Sequence, residues 1–241
     1  MGFIKAKRAK GVEKPEDKVG GFVARNSDVY DAVIEHAYGT NSEKTDSQCL
    51  NLQFKLKNNS KFYARLWFAG ADGNVFTTND QGVKRYRKAF LLADTLINLA
   101  TEGEEDLFSA ETELTTVKMK RDGKDTNVKV PSFPDLIGLP VKLGLIATEK
   151  YKQNFVDGEY IDTDEIETIS ELDQIFDEEG FTLNEIEADA EEPKFIDEWL
   201  GAWKDKVRKV KPKAESKGIR KKTSEEGSTA KTRVALRKSR R

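Results

Sequence analysis

From Gln48 to Lys57 the chain alternates strictly, with Leu50, Leu52, Phe54 and Leu56 on one side and Asn51, Gln53, Lys55 and Lys57 on the other. A period of two is that of a strand buried on one face only. Asn58-Asn59-Ser60 supplies turn residues that tolerate positive φ. Lys61 to Phe68 then alternates again, Phe62, Ala64, Leu66 and Phe68 opposing Lys61, Tyr63, Arg65 and Trp67. The pattern predicts a β-hairpin with one apolar face. Upstream, Asp28 to Tyr38 is rich in β-branched and aromatic residues and predicts another strand.

After the turn at Asp72-Gly73 the period changes. Val83, Tyr86, Phe90, Ala93 and Ile97 recur at three- and four-residue spacing, which predicts a helix over Gln81 to Ala100 with Lys84, Arg85, Arg87 and Lys88 in its first turns. Leu114 to Lys120 and Thr126 to Val130, joined by Asp122-Gly123, predict a second hairpin. Val141 to Thr148 is an apolar strand, and Glu167 to Phe176 a last one. Tyr151, Phe155 and Tyr160 fall in the loop between these two. Thr182-Leu183-Asn184-Glu185 fits a capping box opening a short helix. Pro193 can open another, with Phe195, Ile196, Trp199, Leu200, Trp203 and Val207 along one side.

Five or six strands with a helix after the third make a mainly β (α+β) fold, compatible with an OB-fold: a partly open five-stranded barrel with an inserted helix. The expected organisation is a flexible basic arm over residues 1–20, an OB-fold domain over 21–180, a helical segment over 181–210 and a disordered basic tail over 211–241.

Composition changes this picture through its distribution. The chain has 241 residues, with 41 Lys+Arg against 43 Asp+Glu, a formal net charge of −2. Asp157 to Glu198 carries 18 acidic residues against Lys194 alone, and Lys204 to Arg241 carries 16 basic residues against 4 acidic ones. Near-neutrality is therefore the sum of a slightly basic body, an acidic stretch and a basic tail. Like-charge runs of this size usually mark disordered interaction segments. No apolar run of signal-peptide or membrane-spanning length is present, so the expected location is the cytoplasm, without a membrane partner.

One Cys and one His exclude a disulfide framework and a zinc site built on several cysteines. Asp162-Thr163-Asp164 begins like a calcium loop, but Glu167 stands where that loop needs Gly. There is no phosphate-binding Gly-Lys-Ser/Thr loop and no Ser-centred elbow between glycines. His36 is read as structural, and Cys49 as a small core or edge residue. No catalytic residue, metal or cofactor is assigned.

The outward face of the first hairpin carries the candidate chemistry. Asn51, Gln53, Lys55, Lys57, Tyr63, Arg65 and Trp67 stand side by side there. Cations neutralise phosphates, and aromatic rings stack on bases without reading their identity. Lys84, Arg85 and Arg87 would extend the phosphate track, and Tyr151 could clamp a strand.

Phe133-Pro134-Asp135-Leu136-Ile137-Gly138-Leu139-Pro140-Val141 with Gly144-Leu145-Ile146, Glu149-Lys150-Tyr151, Ile175-Phe176-Asp177 and Thr182-Leu183-Asn184-Glu185 resembles the single-stranded DNA-binding proteins of tailed bacteriophages. So does Tyr63-Ala64-Arg65-Leu66-Trp67-Phe68 followed by a helix. The resemblance spans roughly residues 25–205. It implies a non-enzymatic OB-fold protein that coats single-stranded DNA during phage replication and recombination, in the host cytoplasm. Many such proteins end in an acidic tail, whereas this chain ends basic. Arg233, Arg237, Lys238, Arg240 and Arg241 are the residues by which that tail would meet a partner. The alternative function is an interaction or regulatory protein whose charged C-terminal region docks on replication, recombination or RNA polymerase proteins. A third idea is that the acidic stretch mimics a phosphate chain and competes with DNA for the basic surfaces.

Overall fold

The computed structural model describes residues 24–121, 124–156 and 159–210. The N-terminal arm over 1–20 and the basic tail, with Arg233, Arg237, Lys238, Arg240 and Arg241, lie outside the described residues.

Three strands open the fold as an antiparallel meander: β1 (Asp28–Asn41), β2 (Gln48–Leu56) and β3 (Lys61–Ala69). The alternation of the hairpin is realised: Leu50, Leu52, Phe54, Leu56, Phe62, Ala64 and Leu66 are buried. Each of the leucine and phenylalanine side chains withdrawn from water contributes about 1.5–3 kcal/mol before entropy is counted.

The chain between β3 and the first helix differs from the predicted helix start. Residues 76–86 form a small separate hairpin, β4 (Phe76–Thr78) and β5 (Lys84–Tyr86), and the helix α1 begins only at Lys88 and runs to Ala100. The cause is local. Gly82 adopts φ +79, which no helix accommodates, and the Asn79 side chain accepts hydrogen bonds from the backbone N–H of Gln81 and Val83. Lys84, Arg85 and Arg87 are therefore not on a helix. Phe90, Ala93 and Ile97 do face the core as the spacing predicts, whereas Val83 and Tyr86 are exposed.

A second hairpin follows, β6 (Glu113–Arg121) and β7 (Lys124–Ser132), and then a 3-10 turn at Pro134–Leu136. β8 (Pro140–Val156) returns to pair antiparallel with β1, and β9 (Glu159–Phe176) pairs with β8. Tyr151, Phe155 and Tyr160 are thus on strands and not in a loop. The outer parts of β8 and β9 form a ribbon exposed on both faces, from Lys152 to Asn154 on one strand and from Asp164 to Thr168 on the other. A ribbon that buries neither face carries no hydrophobic alternation for the sequence to display.

The chain ends in α2 (Leu183–Glu187), α3 (Phe195–Trp203) and β10 (Val207–Arg208), which pairs parallel to β8. The capping box is present: the Glu185 backbone N–H donates to Thr182 Oγ1, and the Thr182 backbone N–H donates to the Glu185 carboxylate. Trp199 packs with Ile146 and Phe176 in a small second core beside the main one. Its indole N–H donates to Asp173 at 3.0 Å.

The acidic stretch is not a free run of charge, since its described part forms β9, α2 and α3. Lys150 pairs with Glu171 at 2.6 Å, Lys152 with Glu165 at 2.8 Å and Arg208 with Asp173 at 3.0 Å, while Lys88 also meets Asp173.

The principal sheet is antiparallel apart from β10, and it is mainly β in the sense the sequence predicts. Its main path runs β10-β8-β1-β2-β3, with β9 beside β8 and β7 joined to β1. No backbone pairing joins β3 to β9 among the described residues, so the sheet is not closed. Among the described residues, no helix is long and apolar enough to cross a membrane.

Candidate nucleic-acid interface

Antiparallel register sets the outer face of β1, β2 and β3 in rows, because residues directly opposite each other share a face. One row is His36–Gln53–Tyr63, the next Tyr38–Asn51–Arg65, and a third Val33–Lys55–Lys61. Trp67 stands opposite Cys49 at the far end of β3. The rings are available: Tyr63 is 60 % exposed and Trp67 43 % exposed. The structure therefore brings Asn51, Gln53, Lys55, Tyr63, Arg65 and Trp67 together on one surface, with Lys57 just beyond the end of β2.

The polar floor is tied down. Asn51 Nδ2 donates to Thr40 Oγ1 at 2.8 Å and to the Tyr38 carbonyl at 3.3 Å. Gln53 Nε2 donates to Glu35 Oε2 at 2.6 Å. These amides tie β1 to β2, while Lys55, Tyr63, Arg65 and Trp67 remain exposed. Lys61 pairs with Glu35 at 3.3 Å and Lys57 with Asp31 at 3.4 Å. Lys55 and Arg65 have no ion-pair partner among the described residues.

The β6–β7 hairpin forms a second wall that the sequence did not reveal. It meets β1 at a single register pair, Tyr38 with Ser132, reinforced by hydrogen bonds to the Ala37 carbonyl from the Phe133 N–H at 3.1 Å and from Ser132 Oγ at 3.2 Å. Beside this root Gly39 lies so close to Pro131 that a Cβ on it would come within 3.1 Å of the proline ring. Beyond the root the arm stands away from the sheet and leaves two clefts. One, of about 730 Å³, lies between Glu35, His36, Gln53 and Tyr63 on the sheet and Thr115, Thr116 and Lys118 on the arm. The other, of about 910 Å³, lies between Trp67 and Phe68 on the sheet and Met119, Val128 and Lys129 on the arm. Tyr38, Asn51 and Arg65 line both. Lys118 and Lys129, like Arg65, have no ion-pair partner among the described residues.

Tyr38, Glu35, His36, Lys118 and Lys129 are the cleft residues that sequence reasoning missed. The signal for Tyr38 and His36 was the same strand alternation used for β2, whereas alternation places Glu35 on the opposite side and only the register shift between Ile34 and His36 brings it to this face. For the arm there was none, since a hairpin of Thr, Lys and Val does not say which surface it overhangs. His36 is exposed in the cleft and is not a core residue. Cys49 is fully buried, and burial pushes its thiol up to about 11.

Lys84, Arg85, Arg87 and Tyr151 line neither cleft. Lys84 Nζ lies over the Phe76 ring at 4.7 Å from its centroid, and Tyr151 stands on β8 opposite Ile166. Lys55 and Lys57 instead continue past the arm into a third hollow of about 570 Å³, where Lys142 of β8 joins them. Among the described residues, no three His, Cys, Asp or Glu side chains gather as a metal-binding group.

No protein-family model matches the chain, and no curated protein is significantly similar to it.

Proposed function

We propose that the chain is a non-enzymatic, sequence-tolerant single-stranded DNA-binding protein, and that the clefts under the β6–β7 arm hold the strand. The observation that carries this reading is the lining of the clefts. Exposed Tyr63 and Trp67 lie on the same face as Arg65, opposite Lys118 and Lys129. Rings supply sequence-tolerant stacking worth about 1–3 kcal/mol per base, and unpaired cations supply phosphate neutralisation. The overhanging arm favours a flexible single strand, whose bases can be splayed and whose backbone can thread between two walls.

The strand order supports an OB-fold-like reading of the body. β8 is antiparallel to β1 and β9 antiparallel to β8, so β9 runs in the direction of β3. Arg25 spans the open seam between those two strands, its backbone N–H donating to Ser170 Oγ and its guanidinium to the Lys61 carbonyl. A partly open five-stranded barrel with a helix after the third strand is the architecture that binds oligonucleotides on its strand 2–3 face. On this reading the protein coats single-stranded DNA in phage replication and recombination, as the resemblance in its motifs implies. Docking of the C-terminal region on replication, recombination or RNA polymerase proteins rests on residues outside those described, and the cleft favours the first reading.

The test is titration with fluorescein-labelled oligo-dT while following tryptophan emission. Binding with quenching that is reduced in Trp67→Phe is expected. A chain that binds oligo-dT with no change from Tyr63→Ala, Arg65→Ala or Trp67→Ala would place the interface elsewhere.

A further inference from the structure

We infer that a β-bulge in β1 builds a base-edge subsite on the cleft floor, where the Glu35 carboxylate accepts the exocyclic amino group of cytosine, adenine or guanine. The inference rests on the reading of the cleft as a nucleic-acid interface.

In a regular strand, neighbours point to opposite faces. Here the register shifts: Ile34 pairs with Phe54 and His36 with Gln53, so Glu35 is the extra residue. As a result Glu35 and His36 both line the 730 Å³ cleft. Bulges interrupt the ladder and re-aim side chains, and they concentrate next to functional sites. This one places a carboxylate in a lining otherwise supplied with cations.

The carboxylate is held by one oxygen. Gln53 Nε2 donates to Oε2 at 2.6 Å, and Lys61 Nζ stands 3.3 Å from the same atom. Oε1 accepts no hydrogen bond from any described residue. The Gln53 hydrogen bond, with Lys61 beside it, holds the carboxyl below its ordinary range. At neutral pH Glu35 is therefore an acceptor and not a donor. A fixed negative charge repels phosphate, so the base side of a bound strand is the side that meets it. Tyr63, the register partner of Gln53, offers the ring on which that base stacks. Cytosine, adenine and guanine each carry an exocyclic amine, whereas thymine has a carbonyl oxygen at that position and, when unpaired, offers the carboxylate only its ring N3–H, flanked by two carbonyl oxygens that repel it.

The experiment is a pair of anisotropy titrations of the full chain, with oligo-dC and with oligo-dT of equal length, on the wild type, Glu35→Ala and Glu35→Gln. The wild type is expected to favour oligo-dC by about fivefold, the low end of what one good base contact discriminates. Glu35→Ala is expected to erase that ratio through weaker oligo-dC binding. In Glu35→Gln the amide oxygen stays with the two donors, Gln53 and Lys61, and the NH₂ takes the free position. The ratio should then swing toward oligo-dT, whose O4 accepts. A wild-type ratio near one, or a ratio that neither substitution moves, overturns the subsite and leaves the interface standing. Failure to bind either oligomer overturns the interface itself.

Discussion

Asn51 of β2 and Arg65 of β3 are register partners, and the two clefts under the arm share both. Arg65 is thus the cation common to both clefts, where the proposed path of a single strand would pass from one to the other. Arg65→Ala should weaken oligo-dT binding about tenfold, the scale of one hydrogen bond to a charged group. The slope of log affinity against log salt should become shallower by about 0.7. Isothermal or anisotropy titrations at three salt concentrations measure both, and a loss of affinity with an unchanged slope would mean that Arg65 is not on a phosphate.

The arm's cations should behave alike. Lys118→Ala and Lys129→Ala are each expected to lower affinity modestly and to reduce the salt slope by about 0.7, additively in the double variant. Gly39→Val tests the arm without touching a cation. Its side chain would press on Pro131 at the root, so binding should fall while the far-ultraviolet dichroism and the cooperative melt are retained. Full affinity in Gly39→Val would show that the arm's position is unimportant.

A counterpart lies on the β4–β5 hairpin. Lys84→Ala and Arg85→Ala leave the cleft lining intact and should change affinity for a short oligomer less than twofold, which is within about 0.5 kcal/mol. A large effect would mean that the strand runs over that hairpin as well.

The reach of the sequence follows from where burial is one-sided. β2 and β3 each bury one face, so their alternation located the hairpin, its apolar side and the exposed rings Tyr63 and Trp67. The capping box at Thr182 and Glu185 was legible because four residues complete it. The start of α1 was not, because Val83 and Tyr86 keep helical spacing while Gly82 and Asn79 turn the backbone into a hairpin. The outer residues Lys152 to Asn154 of β8 and Asp164 to Thr168 of β9 are exposed on both faces, so no alternation marked the ribbon there. The second wall of the cleft depends on where β7 leaves β1, a contact between residues nearly a hundred positions apart in the chain, which no local pattern encodes.

Asp173 joins α1, α3 and β10 to β9. Burial alone would raise its carboxyl, but hydrogen bonds from Lys88, Trp199 and Arg208 hold it below the ordinary range. A depressed folded-state value means that its contribution is complete above the unfolded carboxylate value of about 4 and is lost as pH falls through the folded value. Asp173→Asn should therefore destabilise the fold by about 2 kcal/mol at pH 7 and flatten the stability loss below about pH 4. Urea melts at pH 7, 4 and 2.5 would show it, and an unchanged acid limb would remove Asp173 from the cause.

The central claim is that the clefts take a single strand by stacking and phosphate neutralisation. Its most direct test is a salt-dependent titration of the full chain with oligo-dT and with a duplex of the same length. Three cleft cations without an ion-pair partner among the described residues, Arg65, Lys118 and Lys129, predict binding to oligo-dT with a slope of about −2, weaker binding to duplex, and loss of most of the affinity in the Tyr63→Ala, Trp67→Ala double variant. Tight binding to duplex with none to oligo-dT, or a double variant with wild-type affinity, would contradict it.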